Sequence, residues 1–396
     1  MKILAVCQYY DPEPFRITDI CEELVRRGHE VTILTGVPNY PMGEIYPGYE
    51  KGQKRNEIKN GVKIIRCFTV PRKADTFHRL LNYFSYAISA WFKAGQIKEN
   101  FDVVFTNQQS PVMMCWPAIR YAKKHQKKCI MYCMDLWPAS LAAGGMNNGL
   151  IYKIFKWISK NIYRNVDVIL NTSKLFETYQ AQQFGVDKKR IRHLPQYAEN
   201  LFDDVGSVDN GIVDLMFAGN MGAAQSLHTI IEAAAMLRDR QDILFHLVGD
   251  GSELENLQKK ADEMELSNVV FHGRKPLSEM PEYYAMADAM LVTLTKDPLI
   301  SMTLPGKVQT CMAAGKPILA AANGEIEFTL KDAQCGLCAA AEDAAGLAQI
   351  ILEFTRSDSA SQMGQNARAY YERMFSKVRF MDALEDILHV MSGLPK

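Results

Sequence analysis

The sequence lacks a GxGxxG turn after any apolar run, which disfavours a nicotinamide or flavin dinucleotide as ligand. It has no His/Cys cluster, and Cys335-Gly-Leu-Cys338 stands without a second pair at zinc-ligand spacing, so no metal site is expected. No nucleic-acid-binding motif appears. Low-complexity tracts are absent, as is a charged, apolar and small-residue export signal at the start; the expectation is a cytoplasmic protein. The nine cysteines, an odd number set mostly in apolar runs, read as reduced thiols.

What is present fits an enzyme of two domains: 396 residues, 48% hydrophobic and 23% charged. The net charge is zero but unevenly laid out. Residues 1–200 hold 29 Lys/Arg against 17 Asp/Glu, and the remainder 16 against 28. A basic first half suits an anionic substrate or a membrane surface.

Lys2–Gln8, a loop at Asp11 to Arg16, a helix from Ile17 to Arg27 and the strand 29–35 make a β-loop-α-β opening, the start of a doubly wound α/β sheet. Residues 38–60 read as a long excursion. Leu80–Phe92 is aromatic and aliphatic but shorter than the ~20 residues that span a bilayer. It suits either a core helix or an interfacial one, with Tyr83, Phe84, Tyr86, Trp91 and Phe92 dipping into lipid and basic neighbours such as Arg79 on phosphates. Lys123 and Lys124 belong to a basic patch nearby. Asp135, followed by Trp137, lies just past the strand 129–133, where such sheets hold ligand chemistry; a helix cap is the equal alternative.

An acidic, Gly- and Asn-bearing linker (196–211) precedes a second βα series. The expectation is a domain over 1–195, joined by a C-terminal helix at 378–396, and another over 200–377. Gly219, Asn220 and Gly222 form a turn between strand and helix, and Gly249 another; such turns let phosphates approach the backbone. After the strand 289–294, the segment LISMTLPGKVQTCMAAGKP enters a helix at Pro305-Gly306 with Lys307 in its first turn. Unpaired amides, the helix dipole and a lysine make a phosphate site.

The ordered set YYDPEP, PNYPMG, DLWP, FAGNMGAAQSLHTIIEAA, LVGDGSELE, FHGRKPLSEMPEYYAMAD and LPGKVQTCMAAGKPILA resembles family 4 of the retaining glycosyltransferases. It is most similar to bacterial surface-polysaccharide transferases of the N-acetyl-L-fucosamine type. The resemblance implies the GT-B fold, two Rossmann-like domains facing across a cleft, with a UDP-sugar in the second. It places the diphosphate at Met302, Thr303, Leu304 and Lys307, the base near Arg274, Lys275 and Pro276, and the sugar near Gly219 to Gly222. Where the family carries two glutamates, this chain has Met302 and Thr310; Gln309 or Thr310 offers an uncharged acceptor for a ribose hydroxyl, and Asp297 or Glu325 is the candidate to replace the missing sugar-holding carboxylate.

The resemblance further implies front-face transfer in which the leaving diphosphate takes the acceptor's proton, with no metal and no cofactor. Asp135 is the first candidate to orient the acceptor hydroxyl and Asp11 the second. The implied acceptor is a polyprenyl-diphosphate-linked sugar at the inner membrane face, where the protein would sit peripherally. Two other readings stay open: a UDP-sugar epimerase and a non-catalytic nucleotide-sugar-binding subunit.

Overall fold

The computed structural model describes residues 1–394 except 74, 144–148, 204, 209 and 358. The chain forms two compact units, one of Met1–Thr172, Phe176–Leu194 and Met381–Lys396, the other of Ser173–Leu175 and Pro195–Phe380. The last two residues of the C-terminal helix expected at 378–396 lie outside the described residues.

In the first unit, β1 (Lys2–Val6), β2 (Glu30–Gly36), β3 (Asn56–Lys59), β4 (Val62–Cys67), β5 (Val103–Gln108), β6 (Cys129–Cys133), β7 (Val168–Asn171) and β8 (Ile191–His193) form one sheet. Its order is β3-β4-β2-β1-β5-β6-β7-β8. Central β1 is Ile3 to Val6 with no exposed surface, the continuous apolar run that a parallel strand covered on both faces requires. The following helix, Ile17–Arg26, turns Ile17, Ile20, Cys21 and Leu24 inward and ends before Gly28, whose φ of +88° suits glycine.

The excursion at 38–60 contains β3, which sequence reading missed. It pairs antiparallel with β4, and its NEIK residues are almost all exposed, so no apolar alternation marks it. The helix around Leu80–Phe92 runs from Thr76 to Gln96. Tyr83, Tyr86, Ala87, Ala90 and Ala94 pack into the unit, as the core reading expects, while Phe77, Leu81, Ile88, Trp91 and Phe92 are exposed; Tyr83 and Tyr86, which the interfacial reading sets in lipid, are interior because they face the sheet side of the helix.

The second unit's sheet has β9 (Val213–Ala218), β10 (Ile243–Val248), β11 (Val269–Gly273), β12 (Ala289–Thr293), β13 (Ile318–Ala321) and β14 (Gly336–Ala339) in the order β11-β10-β9-β12-β13-β14, all parallel. The helices His228–Met236 and Ala344–Arg356 cover one face through Ile230, Ile231, Leu347 and Ile351. Gly306–Ala313 and Ala360–Met374 cover the other through Val308, Met312, Ala367 and Tyr371. Strand β14 holds Cys338 of the CxxC; both of that pair are free thiols. The loops after β9 to β12 therefore gather at one edge of the sheet, where parallel α/β folds bind ligands.

Candidate active site

In the second unit, three loops meet backbone to backbone. The amide of Gly219 donates to Val248 O at 2.9 Å, Met221 to Asp250 O at 2.8 Å and Gly249 to Gly273 O at 2.9 Å. This closeness is why glycine is needed: Gly249 has φ +143°, and a Cβ there would fall 1.8 Å from Gly219 O. Asn220 is exposed at the turn's tip.

Lys307 projects from the first turn of the helix Gly306–Ala313 into this cluster. Its Nζ donates to Gln225 Oε1 at 2.6 Å and lies 3.8 Å from the centre of the Phe217 ring. Gly219 leaves the space; a Cβ there would stand 3.2 Å from Nζ. Desolvation pulls the ammonium's pKa down to about 7. No carboxylate pairs with it among the described residues.

The preceding segment differs from the expected row of free amides. The N–H groups of Ser301, Met302 and Thr303 are taken by the carbonyls of Asp297, Leu299 and Ile300, the last two in a 3₁₀ turn. No acceptor among the described residues takes the amides of Leu304, Gly306 or Lys307, which leaves these as donors at the helix start. Asp297 and Glu325 are also committed. Asp297 Oδ1 accepts from Leu299 N and Ile300 N, and the buried Glu325 accepts from Lys174 N and Leu175 N. The Met302 carbonyl accepts from the Ser173 hydroxyl.

Gln309 is buried, its amide nitrogen turned to Pro305 O at 2.9 Å, whereas the partly exposed Thr310 donates its hydroxyl to Gly306 O at 3.2 Å. Arg274 is exposed, and Lys275 Nζ sits 5.6 Å from the Tyr283 ring, before Pro276 opens the next turn. Beside them, Asp214 Oδ1, His246 and His272 form a row across β9, β10 and β11 with contacts of 2.8 and 3.0 Å. Burial, His246 and Lys275 together lower the His272 pKa. Only strand adjacency brings these three together, and nothing in their spacing announced it.

In the first unit, Asp135 follows β6 among the hydroxyls of Ser140 and Ser110 and the indole of Trp137. Burial raises its carboxyl to about 6, with these polar neighbours acting in the opposite direction. Trp137 is fully buried, its Nε1 donating to Ser110 Oγ at 2.8 Å and its ring edge-on to Phe155, so it is not a surface contact. Asp11 forms an ion pair with Lys59 at 2.7 Å, so its carboxylate is occupied.

Glu13, which the sequence reading passed over, is buried and accepts the amides of Tyr10, Asn39 and Tyr40. Burial nonetheless raises its pKa to about 7. It ties the loop after β1 to the loop after β2; an acid inside the DPEP loop was the available signal. Trp91 lies under the Arg120 guanidinium at 3.3 Å, Lys123 Nζ reaches Asn165, Lys124 Nζ reaches Gly95 O at 2.6 Å, and Arg79 is exposed on the same helix as Trp91.

Comparison with known proteins adds to this geometry. Residues 16–196 match the family model described as Glycosyltransferase Family 4, and residues 204–370 that described as Glycosyl transferases group 1. The putative colanic acid biosynthesis glycosyl transferase WcaI of Escherichia coli K12 is 27% identical, over 80% of this chain and 82% of its own. The probable glycosyltransferase WbjE of Pseudomonas aeruginosa is 24% identical over 78% and 80%. Among solved structures, Anabaena Alr3699/HepE in complex with UDP superposes with a TM-score of 0.73 at 15% identity, covering 98% of this chain and 100% of that one. Sucrose-phosphate synthase from Thermosynechococcus elongatus does so at 0.76 and 17%, covering 99% of each.

Proposed function

We propose that this chain, a glycosyltransferase with the GT-B fold, moves an N-acetylated (deoxy)hexosamine from a UDP-sugar to a polyprenyl-diphosphate-linked glycan, with retention, in bacterial surface-polysaccharide assembly. The observation that carries the donor side is Lys307, an amine without a carboxylate partner among the described residues, beside the unpaired amides of Leu304, Gly306 and Lys307. Such a place suits the negative charge of a diphosphate. The colanic acid relative and the UDP complex of the Anabaena protein support the pathway class and the nucleotide.

In this reading the acceptor hydroxyl oxygen bonds to the anomeric carbon as the carbon–oxygen bond to the β-phosphate breaks. The hydroxyl proton passes to a phosphate oxygen. Lys307 and the helix-start amides stabilise charge growing on the leaving diphosphate, a contribution of about 10² to 10³ in rate for a single such donor. Asp135 is assigned to orient the acceptor hydroxyl. The reading calls for no cofactor, and it sets the reaction at the inner membrane face, where the acceptor's lipid is anchored.

The test is mass spectrometry of products from a panel of UDP-N-acetyl sugars with synthetic polyprenyl-diphosphate sugars, followed by NMR of the anomeric configuration. One added N-acetylated sugar on the acceptor, in the donor's configuration, is expected. Conversion of the UDP-sugar with no acceptor present would indicate an epimerase. UDP binding without turnover on any acceptor would leave only a binding subunit.

A further inference from the structure

The helix Leu150–Asn165, LIYKIFKWISKNIYRN, has two apolar faces. Phe155, Ile158, Ile162 and Tyr163 are buried in the first unit. Leu150, Ile151, Ile154 and Trp157 point outward, with Leu150 75% and Trp157 67% exposed. A surface helix of a water-soluble domain ordinarily turns polar residues outward. Here the exposed face alternates large apolar side chains with Lys153 and Lys160, and the helix contains no acid.

A second stripe lies next to it. On the helix Thr76–Gln96, the exposed Phe77, Leu81, Ile88 and Phe92 recur at helical spacing, and this helix too contains no acid. Phe84 of that helix, partly buried, stacks on the buried Phe155 with ring centroids 6.3 Å apart, so the two helices are neighbours and each turns an apolar row outward. Contiguous exposed apolar surface marks an interaction site. Its chemistry selects the partner: apolar side chains, an outward tryptophan and flanking cations without acids match the interface of an anionic bilayer.

We propose that the helix Leu150–Asn165 is the principal bilayer-inserting element of this protein, with Ile154 and Trp157 entering the acyl boundary, the helix Thr76–Gln96 lying beside it, and Lys153 and Lys160 on lipid phosphates. The proposal rests on the lipid-linked acceptor of the preceding section for its purpose only; the surface itself is read from exposure and charge. It moves the anchor from the stretch around Trp91, one face of whose ring is taken by Arg120.

The experiment is co-sedimentation of the full chain with vesicles of phosphatidylcholine containing phosphatidylglycerol, comparing wild type with Ile154→Ser/Trp157→Ser and with Lys153→Gln/Lys160→Gln. These side chains, outward on the surface, can be replaced without disturbing the core; circular dichroism confirms the fold of each variant. Partition is expected to fall at least about tenfold for the apolar pair. The lysine pair is expected to lose most of the salt dependence. In wild type, brominated lipid should quench fluorescence that is lost in Trp157→Phe. Unchanged partition of the apolar variant overturns the proposal. So does a concentration-dependent dimer that this variant abolishes, which would make the face a contact between copies. Transfer to a short-chain, water-soluble acceptor is read in parallel and should be the same in all variants. If every protein fails to transfer while vesicle binding behaves as expected, the functional reading fails and the docking surface stands.

Discussion

Lys307 and Gln225, 82 residues apart, meet at 2.6 Å, and the amine's partners are an amide oxygen and the Phe217 ring rather than a carboxylate. The amine is thus held in place without a counter-charge. A diphosphate arriving there would supply the counter-charge that favours its protonated form.

That arrangement has a pH signature. The Lys307 pKa is about 7 in the free protein, so the charged form is depleted above neutrality. Nucleotide diphosphate favours the charged form, so binding should take up a proton near pH 7 to 8, and affinity should fall by up to about tenfold per pH unit above that range. Calorimetry in buffers of different ionisation enthalpy measures the uptake; a net uptake of zero at pH 7.5 would contradict it. The sign for stability is opposite. The unfolded chain binds more protons at this site between pH 7 and 10.5, so stability attributable to Lys307 rises with pH across that window. Lys307→Met is expected to raise the melting temperature by a few degrees. It should lower turnover by about 10² to 10³.

Gln225→Glu places a carboxylate where the amide oxygen accepts from Lys307. The pair would neutralise the site, and UDP should bind about tenfold more weakly, ~1.4 kcal/mol. Titration calorimetry decides this, and tighter binding would show that the lysine's charge is not what the nucleotide meets.

Two glycines of this region should respond in opposite ways. Gly249→Ala forces a Cβ to 1.8 Å from Gly219 O at φ +143°, and a loss of more than about 4 kcal/mol, or failure to fold, is expected. A Cβ at Gly306 would meet no atom within 4 Å, and alanine there should change stability by no more than about 1 kcal/mol. Urea denaturation of the two variants tests the contrast; equal losses would refute the close backbone packing.

In the first unit, Glu385 of the C-terminal helix accepts from Arg27 at 2.9 Å and contacts His29 at 2.8 Å. Burial, the largest single effect, raises its pKa, but the hydrogen bonds and charges of Arg27 and His29 together outweigh it and lower the value; burial lowers that of His29. Glu385's contribution is complete above its unfolded value of 4.5 and is lost as pH falls through the folded one. His29 also destabilises the fold as pH falls below 6.5, because the unfolded form binds the proton more readily. Glu385→Gln should cost about 1 to 2 kcal/mol at pH 7 and progressively less on acidification, which melting curves from pH 7 to 4 would follow. A pH-independent difference would mean that the ionised carboxylate is not what holds the helix.

The alternation of apolar runs with helical periods made both doubly wound sheets legible, because buried parallel strands must be continuously apolar and their connections must be helical. Glycines after β9 and β10 and the Pro-Gly-Lys helix start were equally visible, since backbone geometry restricts which residues stand there. Strand β3 was not visible, because an exposed edge strand is held by ladder hydrogen bonds and not by an apolar face.

Residue by residue, the sequence determined which local structures form and where the glycine turns and the lysine-bearing helix start lie. Only the tertiary structure decided that Gln225 holds Lys307, that Asp297 and Glu325 are spent on backbone amides, that Glu13 and Trp137 are interior, and that Trp157 is not. Partners and exposure follow from which strands and helices become neighbours, and that depends on burying apolar surface across the whole chain, which no local spacing records.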